Sequence, residues 1–395
     1  MKNNKKLIPE LRFPEFENEG EWEIKTLSGI CDITNGKANA QDHVDNGRYP
    51  LFDRSEVIKA SDEFIFDCEA VIIPGEGMRF IPKYYEGKFN LHQRAYALKD
   101  FSCSGQFVYY SMLHRSTLLS QKAVQSTVLS LRLPILQDFP IEIPKKPEEQ
   151  EKIASCLSSL DEVISAHSQK LELLKAHKKG LLQNLFPQEG EKVPKLRFKE
   201  FEKDGEWKKT ILGKISSAIF DGTHQTPKYT EEGIPFFSVE NIVSGKKNKF
   251  ISREDYLEAT SKNKPEKGDI LITRIGNIGF STVVDWDYEF SIYVTLAVIK
   301  QSDIFISHYL NGYFQSDYYQ KEIRRKSLLN AAPMKINMNE LQKTKVLLPP
   351  TKSEQQKIAF CLSSLDELIL AQTEKIEQLK QHKKGLMQGL FPKNY

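Results

Sequence analysis

Chemistry-bearing residues are scarce in this chain. Of its 395 residues only five are cysteine (Cys31, Cys68, Cys103, Cys156 and Cys361) and eight are histidine. The cysteines form no C-x-x-C pair and no histidines stand at zinc spacing, so neither a structural metal nor a disulfide framework is expected, and the thiols are read as reduced. No apolar run approaches the ~20 residues that span a bilayer. Met1–Lys6 is basic and polar with no apolar stretch behind it, so a secretory leader is not expected and a cytoplasmic location is. Phosphate-cradling motifs are absent as well. There is no Walker A sequence, and Gly75-x-Gly77 lacks the third glycine of a dinucleotide fingerprint, Phe80 standing in its place. Pro349-Pro350 lacks the flanks of an amino-methylating motif, and no nuclease-like carboxylate pattern is evident. Asp161, Glu162, Asp366 and Glu367 lie on amphipathic segments and read as solvated helix faces. Excess charge is small too: the net charge is +3. A protein that grips nucleic acid alone is usually more basic, so a nucleic-acid binder of this composition should share its phosphate contacts with partners.

What is present is an ordinary globular composition, 39% apolar and 28% charged, that repeats itself. Glu149–Pro187 reads EQEKIASCLSSLDEVISAHSQKLELLKAHKKGLLQNLFP, and Glu354–Pro392 reads EQQKIAFCLSSLDELILAQTEKIEQLKQHKKGLMQGLFP. The two align without a gap and are identical at roughly two-thirds of positions. Upstream of each stands a shared opening, IPELRFPEFENEGEW at Ile8–Trp22 and VPKLRFKEFEKDGEW at Val193–Trp207. LQDFPIEIP at Leu136–Pro144 and LQKTKVLLP at Leu341–Pro349 are a weaker third match. The order is opening, body, spacer, then all three again. The resulting boundaries are 1–146, 147–190, 191–350 and 351–395. The bodies share little sequence, which suits one scaffold carrying two different specificities.

The spacers carry a heptad seam. Ile153, Leu157, Leu160, Ile164, His167, Leu171, Leu174, Lys178, Leu181 and Leu185 alternate at steps of four and three, matched by Ile358, Leu362, Leu365, Ile369, Gln372, Ile376, Leu379, Lys383, Leu386 and Leu390. Pro147 suits a first helical turn, Thr351 with Glu354 a capping box, and Pro187 and Pro392 the stops. Lys178 and Lys383 would face each other in a parallel pair. An antiparallel pair avoids that clash and would bring His167 near Gln372.

The bodies read as mixed α/β. Ala70–Pro74 is expected to be a strand entering the glycine loop Gly75-Glu76-Gly77-Met78-Arg79, and Asp269–Thr273 one entering Arg274-Ile275-Gly276-Asn277-Ile278-Gly279. Helical stretches are expected near Gly105–Ser120 and Ile306–Lys326. Basic and aromatic residues cluster beside these loops: Arg79, Lys83, Tyr84, Lys88 and Arg94 in the first body, and Thr223, His224, Lys228, Lys246, Arg274 and Asn277 in the second. Such side chains contact phosphates and base edges, and these are the candidate DNA-binding residues. The candidate spacer-packing residues are Leu157, Leu160, Ile164, His167, Leu171, Leu362, Leu365, Ile369, Gln372 and Ile376.

The tandem frame, the LRFPEF…EW opening and the EQxKIA…LSSLDE…HKKGL…LFP spacers resemble the specificity subunit of type I restriction–modification systems, over essentially the whole chain. The resemblance implies two globular target recognition domains joined by two long antiparallel coiled-coil helices in a pseudo-two-fold repeat. It implies that the bodies read the halves of a bipartite, asymmetric duplex DNA target, and that two methylation and two restriction subunits are the partners. S-adenosylmethionine, ATP and magnesium would act in those partners only, leaving this chain without cofactor or catalytic residue. The alternatives are an enzyme, a structural coiled-coil adaptor, or an orphan specificity subunit.

Overall fold

A computed structural model describes residues 7–125, 128–328 and 330–393. Met1–Lys6, expected to be a polar start, lies outside the described residues. Contacts divide the chain into a first unit, Met1–Ser168 with Glu374–Tyr395, and a second unit, Gln169–Thr373.

In the first unit the opening motif leads into strands β1 (Glu23–Thr26), β2 (Asp32–Asn35), β3 (Tyr49–Phe52), β4 (Lys59–Ser61), β5 (Phe66–Pro74), β6 (Lys83–Leu91) and β7 (Ala95–Lys99). Helices α1 (Gly105–His114), α2 (Ser116–Lys122) and α3 (Leu133–Gln137), strand β8 (Pro140–Ile143) and the long helix α4 (Pro147–Asn184) follow. Six strands form one sheet in the order β2-β7-β5-β6-β3-β4, with β3 and β6 parallel, and β1 pairs separately with β8. The expected strand Ala70–Pro74 is the end of β5. It reads as an unbroken apolar run because it is buried on both faces. Val71 and Ile73 join a core with Phe107 and Val108 of α1, while Ala70 and Ile72 join another with Phe52 and Phe89.

The second unit repeats this wiring. Its elements are β9 (Lys208–Ile211), α5 (Leu212–Ile215), β10 (Ile219–Asp221), β11 (Ile234–Phe237), α6 (Val239–Ser244), β12 (Phe250–Ile251), α7 (Arg253–Ala259) and β13 (Ile270–Thr273). Then come β14 (Ser281–Val283), β15 (Ser291–Ile292), β16 (Leu296–Ile299), α8 (Ser307–Phe314), α9 (Asp317–Arg325), α10 (Met338–Gln342), β17 (Lys345–Leu348) and α11 (Lys352–Leu390). The strand orders are β10-β16-β13-β14 and β12-β11-β15, again with one parallel pair, β11 with β15. This is the first unit's sheet with β6 interrupted into β14 and β15. The helical stretches expected near Gly105–Ser120 and Ile306–Lys326 are each two helices, broken after His114 and after Phe314.

The shared opening motif clamps the start of a spacer helix. Arg12 donates from Nε and Nη2 to the Glu149 carboxylate at 2.8 Å each, and Trp22 Nε1 donates to the same carboxylate at 3.2 Å. Arg197, Trp207 and Glu354 repeat this with the same distances. Arg12 and Arg197 also donate to the carbonyls of Gly20 and Gly205. The capping box expected at Thr351 is therefore only half formed. The Glu354 N–H donates to Thr351 Oγ1 at 3.3 Å, but the Glu354 side chain is held by Arg197 instead of turning back to the cap.

Each unit takes the start of one long helix and the end of the other. In the first unit Ile153, Ala154 and Leu157 share a core with Met387, Leu390 and Phe391, and Lys383 Nζ meets Asp161 at 2.5 and 2.6 Å. In the second, Leu185 and Phe186 share a core with Ile358, Ala359 and Leu362, and Lys178 Nζ meets Asp366 at 2.6 Å. Advancing along one helix retreats along the other, so the pairing is antiparallel in both units. Leu157, Leu160, Ile164, His167 and Leu171, and Leu362, Leu365, Ile369, Gln372 and Ile376, are all buried or half-buried. His167 belongs to the first unit and Gln372 to the second. Asp161 and Asp366, expected on solvated faces, do keep part of their surface open to solvent, and each also pairs with a seam lysine.

Candidate nucleic-acid interface

In the first unit, β5 ends at the glycine loop as the sequence suggests. Gly75 lies so close to the Arg94 carbonyl that a Cβ would sit 2.6 Å from it. Gly77, at φ +147°, donates its N–H to the Leu129 carbonyl at 3.1 Å, and Leu131 N donates to the Gly75 carbonyl at 2.8 Å. The loop is thus stitched to a second segment through Leu129 and Leu131. At its tip Met78 and Arg79 are exposed while Phe80 is fully buried and anchors the exit. Beside it Glu76 accepts from Arg94 at 2.8 Å and pairs with Arg54 at 3.6 Å. Arg79 makes no ion pair among the described residues.

The remaining candidates of this unit separate. Lys88 is exposed, its ammonium 4.7 Å from the centre of the Phe64 ring. Lys83 is half-buried and donates to the Ser55 carbonyl at 2.6 Å, and desolvation pulls its pKa down. Tyr84 packs against the core beside Tyr109 and donates to Glu69 at 2.8 Å. Burial, reinforced by that carboxylate, pushes its pKa up. Both side chains are engaged within the protein, on opposite faces of the sheet as neighbours on β6 must be: Lys83 toward Ser55, and Tyr84 toward Glu69 and Tyr109. They are corrected from candidate readers to supports.

The second unit carries the same stitched loop. Gly276 N donates to the Met334 carbonyl at 2.8 Å and Ile336 N to the Arg274 carbonyl at 2.9 Å. Arg274 N bonds the Thr295 carbonyl as Gly75 N bonds that of Arg94. Arg274 therefore occupies the position of Gly75, not that of Arg79. It is 8% exposed and donates to Asp221 at 2.8 Å, to the Val294 carbonyl at 2.9 Å and to the Ile336 carbonyl at 3.3 Å. A guanidinium so enclosed holds the loop together. The outward residue here is Asn277, which directly follows Gly276 and is exposed.

Thr223, His224 and Lys228 lie on the segment after β10. Gly222 passes so close to the backbone of Ile292 that a Cβ would sit 2.0 Å from its carbonyl, as Gly36 does against Leu91 in the first unit. The segment lines a groove of about 650 Å³ whose other wall is α7 with Ser261, Lys262 and Asn263. His224 Nε2 is 3.1 Å from the Asp221 carboxylate that Arg274 also holds. Thr223 bonds locally to the Gln225 carbonyl, and Lys228 is exposed. Lys246 is exposed on a separate turn, next to Lys247, whose ammonium lies 4.0 Å from the centre of the Tyr288 ring. Two cations went unread in the sequence: Arg54 beside Glu76, and exposed Lys335, which bridges to Ile275. Neither adjoins its loop in sequence, so only the fold reveals them. Among the described residues no group of three His, Cys, Asp or Glu is placed to hold a metal. No helix among them is long and apolar enough to cross a membrane.

Comparison with known proteins agrees with the duplicated architecture. A family model described as the type I restriction modification DNA specificity domain matches residues 19–176 and again 190–381. The chain is 23% identical to the type I restriction enzyme MjaVIII specificity subunit of Methanocaldococcus jannaschii, over 96% of this chain and 93% of that one. It is 28% identical to the EcoDI specificity subunit of Escherichia coli over 38% of this chain, a match that spans only 34% of that relative's length. In structure it is similar to the type I restriction–modification S subunit from M. genitalium, with a TM-score of 0.69 at 17% identity, covering 98% of this chain and 100% of that one. With the family model matching both repeats and nearly all of the chain, this protein belongs to the type I restriction–modification specificity subunits and carries two DNA specificity domains.

Proposed function

We propose that the chain reads a bipartite, asymmetric duplex DNA target, one half per unit, and scaffolds two methylation and two restriction subunits in the cytoplasm without catalysing a step itself. The observation that carries this reading is a common scaffold with different tips. The clamp at Glu149 and Glu354 has the same distances in both units, whereas the stitched loops end in Met78-Arg79 in one unit and Asn277-Ile278 in the other. Two identical sites would serve a symmetric target; two different ones serve an asymmetric target. The modest net charge fits a subunit whose partners add phosphate contacts. In this reading S-adenosylmethionine, ATP and magnesium act in the partners.

Co-expression with the methylation subunit, followed by genome-wide mapping of modified bases, tests the reading. The expected result is one interrupted motif with unlike halves. A symmetric or uninterrupted motif, modification without sequence preference, or methyl transfer by the purified chain alone would overturn it.

A further inference from the structure

The stitched loop makes the same backbone hydrogen bonds in both units, which allows its tips to be compared position by position. The glycine whose N–H reaches the second segment is Gly77 in the first unit and Gly276 in the second. The next residue is therefore the same structural position in each: Met78 and Asn277. In the second unit the tip is closed further. Thr273, wholly buried, donates its hydroxyl to the Asn277 carbonyl and accepts from Phe280 N at 2.9 Å. Ile278 is buried behind it at 5% exposure, as Phe80 is behind Arg79. Each loop is thus pinned on both sides of an exposed tip, and a tip whose backbone cannot move presents its side chain at little entropic cost.

The tip side chains have no hydrogen-bond or ion-pair partner among the described residues. Met78 is 80% exposed, the most exposed large apolar side chain among the described residues. The Arg79 guanidinium and the Asn277 amide make no side-chain hydrogen bond among those residues. Cations flank each tip: Arg54 and Arg94 around Glu76 in the first unit, Lys335 opposite Ile275 in the second. Cations beside a rigid, unpartnered tip suit phosphate contacts on either side of a base contact.

We propose that this position is the base-reading tip of each unit. Asn277 reads an adenine in the half-target taken by the second unit, and Met78 with Arg79 reads a thymine and a guanine in the half taken by the first. The chemistry follows from the side chains. An asparagine amide offers the donor and acceptor that match adenine N7 and N6, arginine pairs with guanine O6 and N7, and an apolar side chain packs on the thymine methyl. This assignment rests on the proposed two-half reading and adds which residue reads which base.

The test uses the full chain with its methylation subunit, read by the modified motif in cells and by binding of the purified complex to libraries randomised in each half. Asn277→Ala should cost about 5- to 150-fold in discrimination at one adenine of one half and leave the other half intact. Arg79→Ala and Met78→Ala should each relax one position, a guanine and a thymine, in the opposite half. The unaffected half in the same molecule reports that the variant is folded. An unchanged motif in all three variants, or equal loss in both halves, would overturn the tip assignment while a specific wild-type complex keeps the two-half reading. A wild-type complex with no sequence preference would remove both.

Discussion

Glu149 and Glu354 are each almost wholly buried, with side-chain exposures of 1%, and each is held by an arginine fork and an indole N–H. Taking a carboxylate out of water is tolerated only when its lone pairs are filled, and here they are. The pair therefore sets geometry: it fixes the entry angle of a long helix on the domain that precedes it. Removing one partner strands the other charge in a dry site. Glu149→Ala should destabilise the protein by about 3–5 kcal/mol in chemical denaturation, and Arg12→Ala by a similar amount. A loss under ~1 kcal/mol, the range of exposed pairs, would show that the clamp is water-filled in solution. The sequence announced this device only as a repeated motif. The opening LRF…GEW and the EQ of the spacer recur together because they touch, which a linear reading cannot reveal.

At the scale of elements, the long helices were legible and the sheets were not. The seam is local: its period lies within one segment, and Pro147 and Pro187 bracket it, so α4 appears where expected. The antiparallel direction follows from keeping Lys178 and Lys383 apart, but their partners Asp366 and Asp161 stay partly open to solvent, so the linear sequence marks them only as solvated residues. Their roles depend on register between segments about two hundred positions apart in the chain. The wiring of the bodies was hidden for the same reason, since strands such as β2 and β7 meet only through long-range pairing. Arg274 is the clearest casualty. It follows a strand at a glycine loop as Arg79 does, yet backbone bonds place it where the first unit has Gly75, and Asp221, brought in by β10, draws it inward. The register itself is testable. Asp161 also accepts from Tyr110 at 2.7 Å, and the Lys383 ammonium lies 5.1 Å from the centre of the Tyr110 ring. Lys383→Asp should place like charges together and lower stability, and adding Asp161→Lys should restore part of the loss. A double-mutant cycle read from denaturation midpoints should give a coupling of at least ~0.5 kcal/mol. A coupling indistinguishable from zero would mean the two positions do not meet.

For the whole molecule, the decisive feature is that each unit is completed by the end of a helix whose start lies in the other repeat. The first unit receives Phe391, which packs edge-on to Trp22 and stacks on His114 at 5.3 Å. The second receives Phe186, edge-on to Trp207 and beside Tyr309. The two helix ends are nearly the same sequence, LLQNLFP and LMQGLFP. A chain cut after residue 190 would therefore hold one body and one helix, and its Trp22 site would lie empty while its own Phe186 had no site. Phe186 of one copy can fill the Trp22 site of another, and the exchange is mutual, which generates the two-fold axis of a closed dimer. Burying a phenylalanine is worth about 1.5–3 kcal/mol, and it occurs twice, together with the seam leucines. The half-chain should be a dimer by sedimentation or light scattering, and Phe186→Ala should shift it toward monomer. Acid should do the same. Burial, with Arg115 as a lesser cause, holds the His114 pKa below its ordinary value, so an occupied site favours neutral imidazole. Proton uptake then favours the open site: the dimer should be insensitive to pH above ~6.5 and weaken progressively as pH falls below it. His114→Gln should flatten that dependence. With two identical bodies related by an axis, the DNA read must become an inverted repeat of the first half-target. The half-chain supplied with the methylation subunit should accordingly modify a palindromic, interrupted motif. A half-chain that stays monomeric, or one whose modified motif remains asymmetric, would show that the duplicated helix ends are not interchangeable.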